Sequence, residues 1–223
     1  MNVLIVEYPG YSLYKAEKNA DAVLTDSIIV FDFLTENLGV DPENIIIFGR
    51  SIGSAPATYL SSQRKPGALV LMSAFTSVRA VAENLVGTLL KFLISERYIR
   101  QLFRFTNIEY IKKVSCPVMF IHGQMDTLIP FDHSIKLKDN CNCPYELFFP
   151  EEMEHNSFNY KLDFILPFRD FIKRHTNFKK GETCDIEIPQ YISEFPPHLK
   201  DYLKNENHKE KSGAFQNCFG ISN

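Results

Sequence analysis

"IIIFGRSIGSAPATYL", residues Ile45 to Leu60, decides how the rest of the chain is read. Three isoleucines and Phe48 make a short apolar run suited to a buried strand. Gly49-Arg50-Ser51-Ile52-Gly53 follows at once, then a run of small residues, Ser54-Ala55-Pro56-Ala57. A serine on a sharp turn between strand and helix projects its hydroxyl out of the sheet, and glycines on both sides let the two backbones come close. The helix that begins there aims the next backbone N–H, that of Ile52, at the oxyanion of an attacked carbonyl. Gly49, Ser51 and Gly53 therefore read as a nucleophile elbow. The plainer alternative is a βα turn with an incidental serine. The strand before it and the helix after it weigh against that alternative.

A serine hydroxyl is a weak nucleophile near neutral pH, so a base and an orienting acid are expected downstream. Each should sit on a loop at the C-terminal end of a later strand. After "PVMFI" comes His122-Gly123-Gln124-Met125-Asp126, and after "YELFF" comes Pro150-Glu151-Glu152-Met153-Glu154-His155. Asp126 and His155 are the acid and base expected there. His122, at a strand end before Gly123, reads instead as a packed, hydrogen-bonded histidine. Asp132 and His133 lie at a helix start, where Asp132 is a capping candidate. His175, His198 and His208 read as solvated. Glu151, Glu152 and Glu154 read as a solvated face.

The rest of the chain alternates strand and helix signals, which predicts an α/β fold: a mostly parallel sheet with helices on both faces. Strands are expected at Asn2–Glu7, Ile45–Phe48, Ala68–Met72, Pro117–Ile121 and Tyr145–Phe149. Helices are expected at Ala16–Leu38, Ile52–Ser62, Phe131–Asp139 and Phe158–His175, with Pro56 tolerated in the opening turns of the second. Residues 1–175 form the predicted domain, with a helical insert at about 75–113 and a polar, partly disordered tail over 176–223. Within the insert, Leu85–Phe105 mixes Leu, Phe and Ile with Lys91, Arg97, Arg100 and Arg104. It reads either as packed on the core or as a peripheral contact with an anionic membrane.

The totals narrow the function classes. The 223 residues suffice for one domain with a full core. A net charge of -3 gives no electrostatic reason to expect nucleic acid as a partner. No apolar run approaches the roughly 18 residues of a membrane span, and the start lacks a basic, then apolar, leader pattern. Five cysteines without a framework spacing fit a reducing compartment, so a cytoplasmic protein, membrane-associated if the insert makes that contact, is expected. Cys141-Asn142-Cys143 has no second Cys/His pair at ligand spacing and reads as an exposed turn, so no metal or other cofactor is expected.

Taken in order, "ENIIIFGRSIGSAPATYL", "LVLMSAFTSVRAV", "CPVMFIHGQMDTLIPFDHS" and "EEMEHNSF" resemble the α/β-hydrolase superfamily. Within it they are most similar to the serine hydrolases that include the α/β-hydrolase-domain-containing depalmitoylases, a serine aminopeptidase-like group. The resemblance spans roughly Asn2 to His175. It implies Ser51 as nucleophile, Asp126 as orienting acid and His155 as general base. It implies hydrolysis of an ester or thioester, the palmitoyl thioester of an acylated protein foremost. An aminopeptidase-like activity and a non-catalytic binding protein are the alternatives.

The family also places a His-Gly-Asn-type loop and further strands before the element matching Asn2–Tyr8, one of them between Asn2–Glu7 and Ile45–Phe48. This sequence has neither, so an incomplete chain, one oxyanion donor short, is expected. A run as apolar as Asn2–Glu7 needs a partner, because each buried unsatisfied backbone group costs about 1–3 kcal/mol. Direct pairing with Ile45–Phe48 is expected in any stably folded form, with no stable soluble protein as the other outcome.

Overall fold

The computed structural model describes residues 2–11, 14–86 and 104–177. All of them lie in one compact unit, Met1–Thr183. The tail and most of the Leu85–Phe105 segment fall outside the described residues.

Among the described residues four parallel strands make the sheet: β1 (Ile46–Arg50), β2 (Ala68–Met72), β3 (Val118–Ile121) and β4 (Tyr145–Phe148), in spatial order β1-β2-β3-β4. The register aligns their C-terminal ends, with Arg50 opposite Met72, Met72 opposite Ile121 and Ile121 opposite Phe148. The loops that follow these strands therefore open at one edge of the sheet, where ligands of open α/β sheets bind.

Alternation along the strands divides the core. Leu69, Leu71, Val118 and Phe120 pack with Ala57, Ile111 and Leu137 on one face. Ala68, Val70, Met72, Met119 and Ile121 pack with Met153 and Phe171 on the other. The central strands β2 and β3 are buried throughout, whereas β1 and β4 are partly open at the two sheet edges.

The flanking helices begin and end where local chemistry places them. Helix α1 (Ala20–Asp32) starts after Asn19, whose side chain accepts the Asp21 N–H, so the helix is shorter at its start than the periodicity from Ala16 predicts. It runs on as a π-helical turn, Phe33–Asn37. Asp32 near its end takes both forks of Arg64 at 2.6 Å, tying α1 to the C-cap of α2 (Ser54–Gln63). Val23 and Leu24 of α1 pack with Ala55 of α2, Phe75 and Phe105. Helices α3 (Val78–Val86) and α4 (Asn107–Tyr110) flank the undescribed segment 87–103. Helix α5 (Asp132–Asp139) precedes β4. A π-helical turn, Tyr160–Ile165, leads into α6 (Leu166–His175), where Phe171 is wholly buried.

The strand expected at Asn2–Glu7 does not form, and Val3, Leu4 and Ile5 are 76%, 59% and 67% exposed. Among the described residues strand β1 pairs only with β2, and Phe48 on it is 46% exposed. A strand is a property of a pair: an apolar run without a hydrogen-bonded neighbour stays irregular whatever its β propensity. Residues 2–7 meet their backbone requirement in the open, at the cost of exposed apolar side chains, and not by sliding onto β1.

Candidate active site

Strand β1 ends in the turn Ser51–Gly53, a 3-10 turn that opens α2. Ser51 has φ of 52°, the left-handed region that residues with a side chain seldom occupy. A Cβ on Gly49 would lie 2.5 Å from the Ala57 Cβ and 2.5 Å from the Gly53 carbonyl oxygen, so glycine is obligatory there. Gly53 is different. A Cβ on it would meet only the Tyr8 hydroxyl, at 3.3 Å, so the close strand–helix approach expected to demand both glycines demands the first alone. The Ile52 side chain is exposed, and its backbone amide follows Ser51 in the turn.

Asp126 and His155 meet Ser51. The His155 Nδ1 is 2.7 Å from the Asp126 Oδ2, and its Nε2 is 3.1 Å from the Ser51 Oγ. An ionised carboxylate can only accept, so Nδ1 carries the hydrogen and Nε2 turns a lone pair to the serine hydroxyl. The other oxygen of Asp126, Oδ1, accepts the backbone N–H groups of Leu128 at 3.0 Å and Ile129 at 2.8 Å. Burial by itself would raise the Asp126 pKa. Hydrogen bonds from His122, the Ile129 N–H and His155 outweigh it and hold the carboxyl at about 2. The His122 contact is the longest of these, 3.4 Å from Nε2, because that nitrogen donates first to the Ile129 carbonyl at 2.7 Å. Its Nδ1 lies 2.7 Å from the Ser134 Oγ. His122 is thus buried and fully partnered, as its place at a strand end predicts.

A carboxyl held below its ordinary 3.8 stabilises the fold above about pH 4 and loses that contribution as pH falls through about 2. The difference amounts to something on the order of 2 kcal/mol. Denaturant midpoints of the native chain should therefore fall more steeply between pH 4 and pH 2 than those of Asp126→Asn. Parallel curves would show that Asp126 is not ionised as described.

Three loops are laced together around these groups. Met125 N–H donates to the Met153 carbonyl at 3.1 Å and Gln124 N–H to the Pro150 carbonyl at 3.0 Å, joining the Asp126 loop to the His155 loop. Arg50 joins the His155 loop to the elbow. Its Nη2 donates to the His155 carbonyl and, at 3.0 Å, to the Asn156 Oδ1, and its guanidinium lies 5.6 Å from the Phe158 ring centroid. Sequence reasoning missed Arg50, because it occupies a variable position of the elbow and its partners lie about a hundred residues away in the chain.

The remaining candidates are elsewhere engaged. His133 Nδ1 accepts the Thr76 N–H at 3.2 Å and lies 3.0 Å from its hydroxyl, in a buried setting. Asp132 opens α5 but does not cap it. His175 is not simply solvated: Nε2 sits 2.7 Å from Glu146, which also takes Arg174. Glu151, Glu152 and Glu154 are exposed. Among the described residues no cluster of His, Cys, Asp and Glu could hold a metal ion, and no helix is long and apolar enough to cross a membrane.

Comparison with known proteins adds to this geometry. Residues 10–178 match the model of the prolyl oligopeptidase family, well over half of the chain. The chain belongs to that family. Among relatives, the human alpha/beta hydrolase domain-containing protein 17B is 28% identical over 173 residues, covering 78% of this chain and 57% of the relative. The 17B protein of Xenopus laevis is 30% identical over 155 residues, covering 70% and 50%. The chain thus spans about half the length of the relatives it matches. An acetyl xylan esterase from Paenibacillus sp. R4 superposes with a TM-score of 0.58 at 16% identity, covering 69% of this chain and 52% of the esterase. A puromycin-hydrolyzing peptidase of Mycobacterium tuberculosis superposes with a TM-score of 0.54 at 18% identity, covering 71% and 26%. At such identities the likeness is one of fold. The family member has the α/β-hydrolase fold.

Proposed function

We propose that Ser51, His155 and Asp126 are the reactive groups of a serine hydrolase that cleaves acyl esters and thioesters, with an S-palmitoylated protein as the favoured substrate. The observation that carries this reading is the hydrogen-bonded line from Asp126 through His155 to Ser51, 2.7 and 3.1 Å long. As the Ser51 Oγ attacks the acyl carbonyl, His155 Nε2 takes its proton, and the buried Asp126 carboxylate steadies the imidazolium that forms. The Ile52 N–H, next after Ser51 in the turn, is the donor assigned to the developing oxyanion. The tetrahedral adduct collapses, the C–O or C–S bond breaks, and His155 returns the proton to the leaving group. Water, activated by the same imidazole, then frees the acid and restores Ser51.

Thioesters suit this centre because a thiolate leaves with little protonation, the thiol pKa being about 8.5. The palmitoyl preference comes from the resemblance to the depalmitoylase group and fits the relatives found. Aminopeptidase-like cleavage is the second reading, and membership of the prolyl oligopeptidase family favours it. Parallel assays of a longer protein containing this chain would separate them, using p-nitrophenyl acyl esters, an S-palmitoyl peptide and aminoacyl-p-nitroanilides. Ester and thioester turnover is expected. Faster release from the anilides would overturn the reading in favour of the peptidase.

Arg50 should act as a positioning residue, because it holds the His155 carbonyl against the elbow. Arg50→Met is expected to lower kcat by up to about 10²-fold, the cost of a misplaced catalytic group, with little change in KM. A rise in KM with kcat preserved would place Arg50 in substrate binding instead.

A further inference from the structure

At the opposite end of the sheet, the turn between α5 and β4 carries Cys141 and Cys143. The two Sγ atoms are 3.2 Å apart, and both side chains are half-buried against the core residues around Cys116, in place of the exposed turn that the spacing suggests. The turn is held from several sides. Cys141 N–H donates to the Lys138 carbonyl at 3.0 Å, the Asn142 Nδ2 donates to the Lys112 carbonyl at 3.1 Å, and the Pro144 carbonyl accepts the Val118 N–H at 2.9 Å. Its backbone is thereby fixed with the two sulfurs facing each other, and a disulfide at about 2.05 Å needs a closure of only about an ångström.

We propose that Cys141 and Cys143 form a thiol–disulfide exchange site that takes low-molecular-weight disulfides of the glutathione class as oxidant. The Cys141 thiolate attacks one sulfur of the small disulfide; that S–S bond breaks and one small thiolate leaves. Cys143 then gives up its proton and attacks the Cys141 sulfur. The protein S–S bond forms, and the second small thiolate departs. Two protein thiols are oxidised, and one small disulfide is reduced to two thiols.

The 3.2 Å contact between the sulfurs lets one thiol donate to the other's thiolate, and the surroundings make Cys141 the attacker. A hydrogen bond from the Cys143 thiol, opposed by burial and aided by the Cys143 backbone, holds the Cys141 thiol below its ordinary value. The same contact, with burial, raises that of Cys143. Nearby Cys116 is an internal contrast, because burial pushes its thiol up to about 12. The pair sits at the N-terminal end of β4 and Ser51 beyond the C-terminal end of β1, so this proposal does not rest on the hydrolase reading.

The test uses the reduced 223-residue chain, exposed to oxidised glutathione near neutral pH, quenched with iodoacetamide and digested with trypsin. Cleavage after Lys138 and Lys161 isolates Cys141 and Cys143 in one peptide without other cysteines. The expected result is that this peptide loses both alkylation sites and carries no glutathione. Cys143→Ser should trap one glutathione on Cys141, and Cys141→Ser should leave Cys143 alkylated. A native peptide still doubly alkylated, a glutathione adduct persisting on it, or oxidation shared equally with Cys116 would overturn the proposal.

Discussion

In a longer protein containing this chain, Ser51→Ala should lower kcat for acyl ester hydrolysis by at least about 10⁴-fold while leaving the melting curve essentially unchanged. The change removes one oxygen that is only partly buried and whose hydrogen-bond partner is His155. No core volume is lost, since the β-carbon remains and the left-handed backbone is as costly for alanine as for serine. On the proposed mechanism no acyl-enzyme forms without that oxygen, and what persists is the slow attack of water assisted by His155. Turnover by the alanine variant within tenfold of the parent would make the elbow incidental.

The largest effect on stability is expected at Gly123, the second residue after β3. A Cβ there would lie 1.9 Å from the Met153 carbonyl oxygen, a backbone atom that cannot swing aside as a long side chain can. Gly123→Ala must therefore push apart the very loops that carry Asp126 and His155, which the Met125 N–H to Met153 carbonyl bond now joins. Overpacking of this kind costs about 1–3 kcal/mol or somewhat more. The 2.7 Å contact between His155 and Asp126 would be strained with it. Chemical denaturation and ester turnover should fall together in Gly123→Ala. Gly53→Ala, facing only a tyrosine hydroxyl, should be much milder. Equal loss in the two variants would mean that the loop contact at Met153 yields easily.

How much of this was legible in the sequence depends on whether the cause was local. The central strands were, since Ala68–Met72 coincides with β2 and Val118–Ile121 lies within the expected Pro117–Ile121. Those runs are apolar on both faces, and burial on both faces fixes their state. Ser51, Asp126 and His155 were legible because parallel strands carry their following loops to one edge, so chain order translates into proximity. Asn2–Glu7 misled because its composition says how the run would behave with a partner, and not whether one is there. Arg50 was silent for a related reason: its role lies in the His155 carbonyl and the Asn156 amide, neither of which has a spacing rule. The requirement for Gly49 and the tolerance at Gly53 look identical in the pentapeptide. Only the close approach of the Ala57 Cβ and the Gly53 carbonyl to Gly49 separates them.

Fluorophosphonate labelling tests the central claim most directly, because the probe reacts only with a serine whose hydroxyl is activated by a neighbouring base. With peptide mapping of a longer protein containing this chain, a single covalent adduct on Ser51 is expected, formed at a rate that collapses in His155→Asn and falls in Asp126→Asn. No adduct on Ser51 in that protein, or a labelling rate indifferent to the loss of His155, would contradict it.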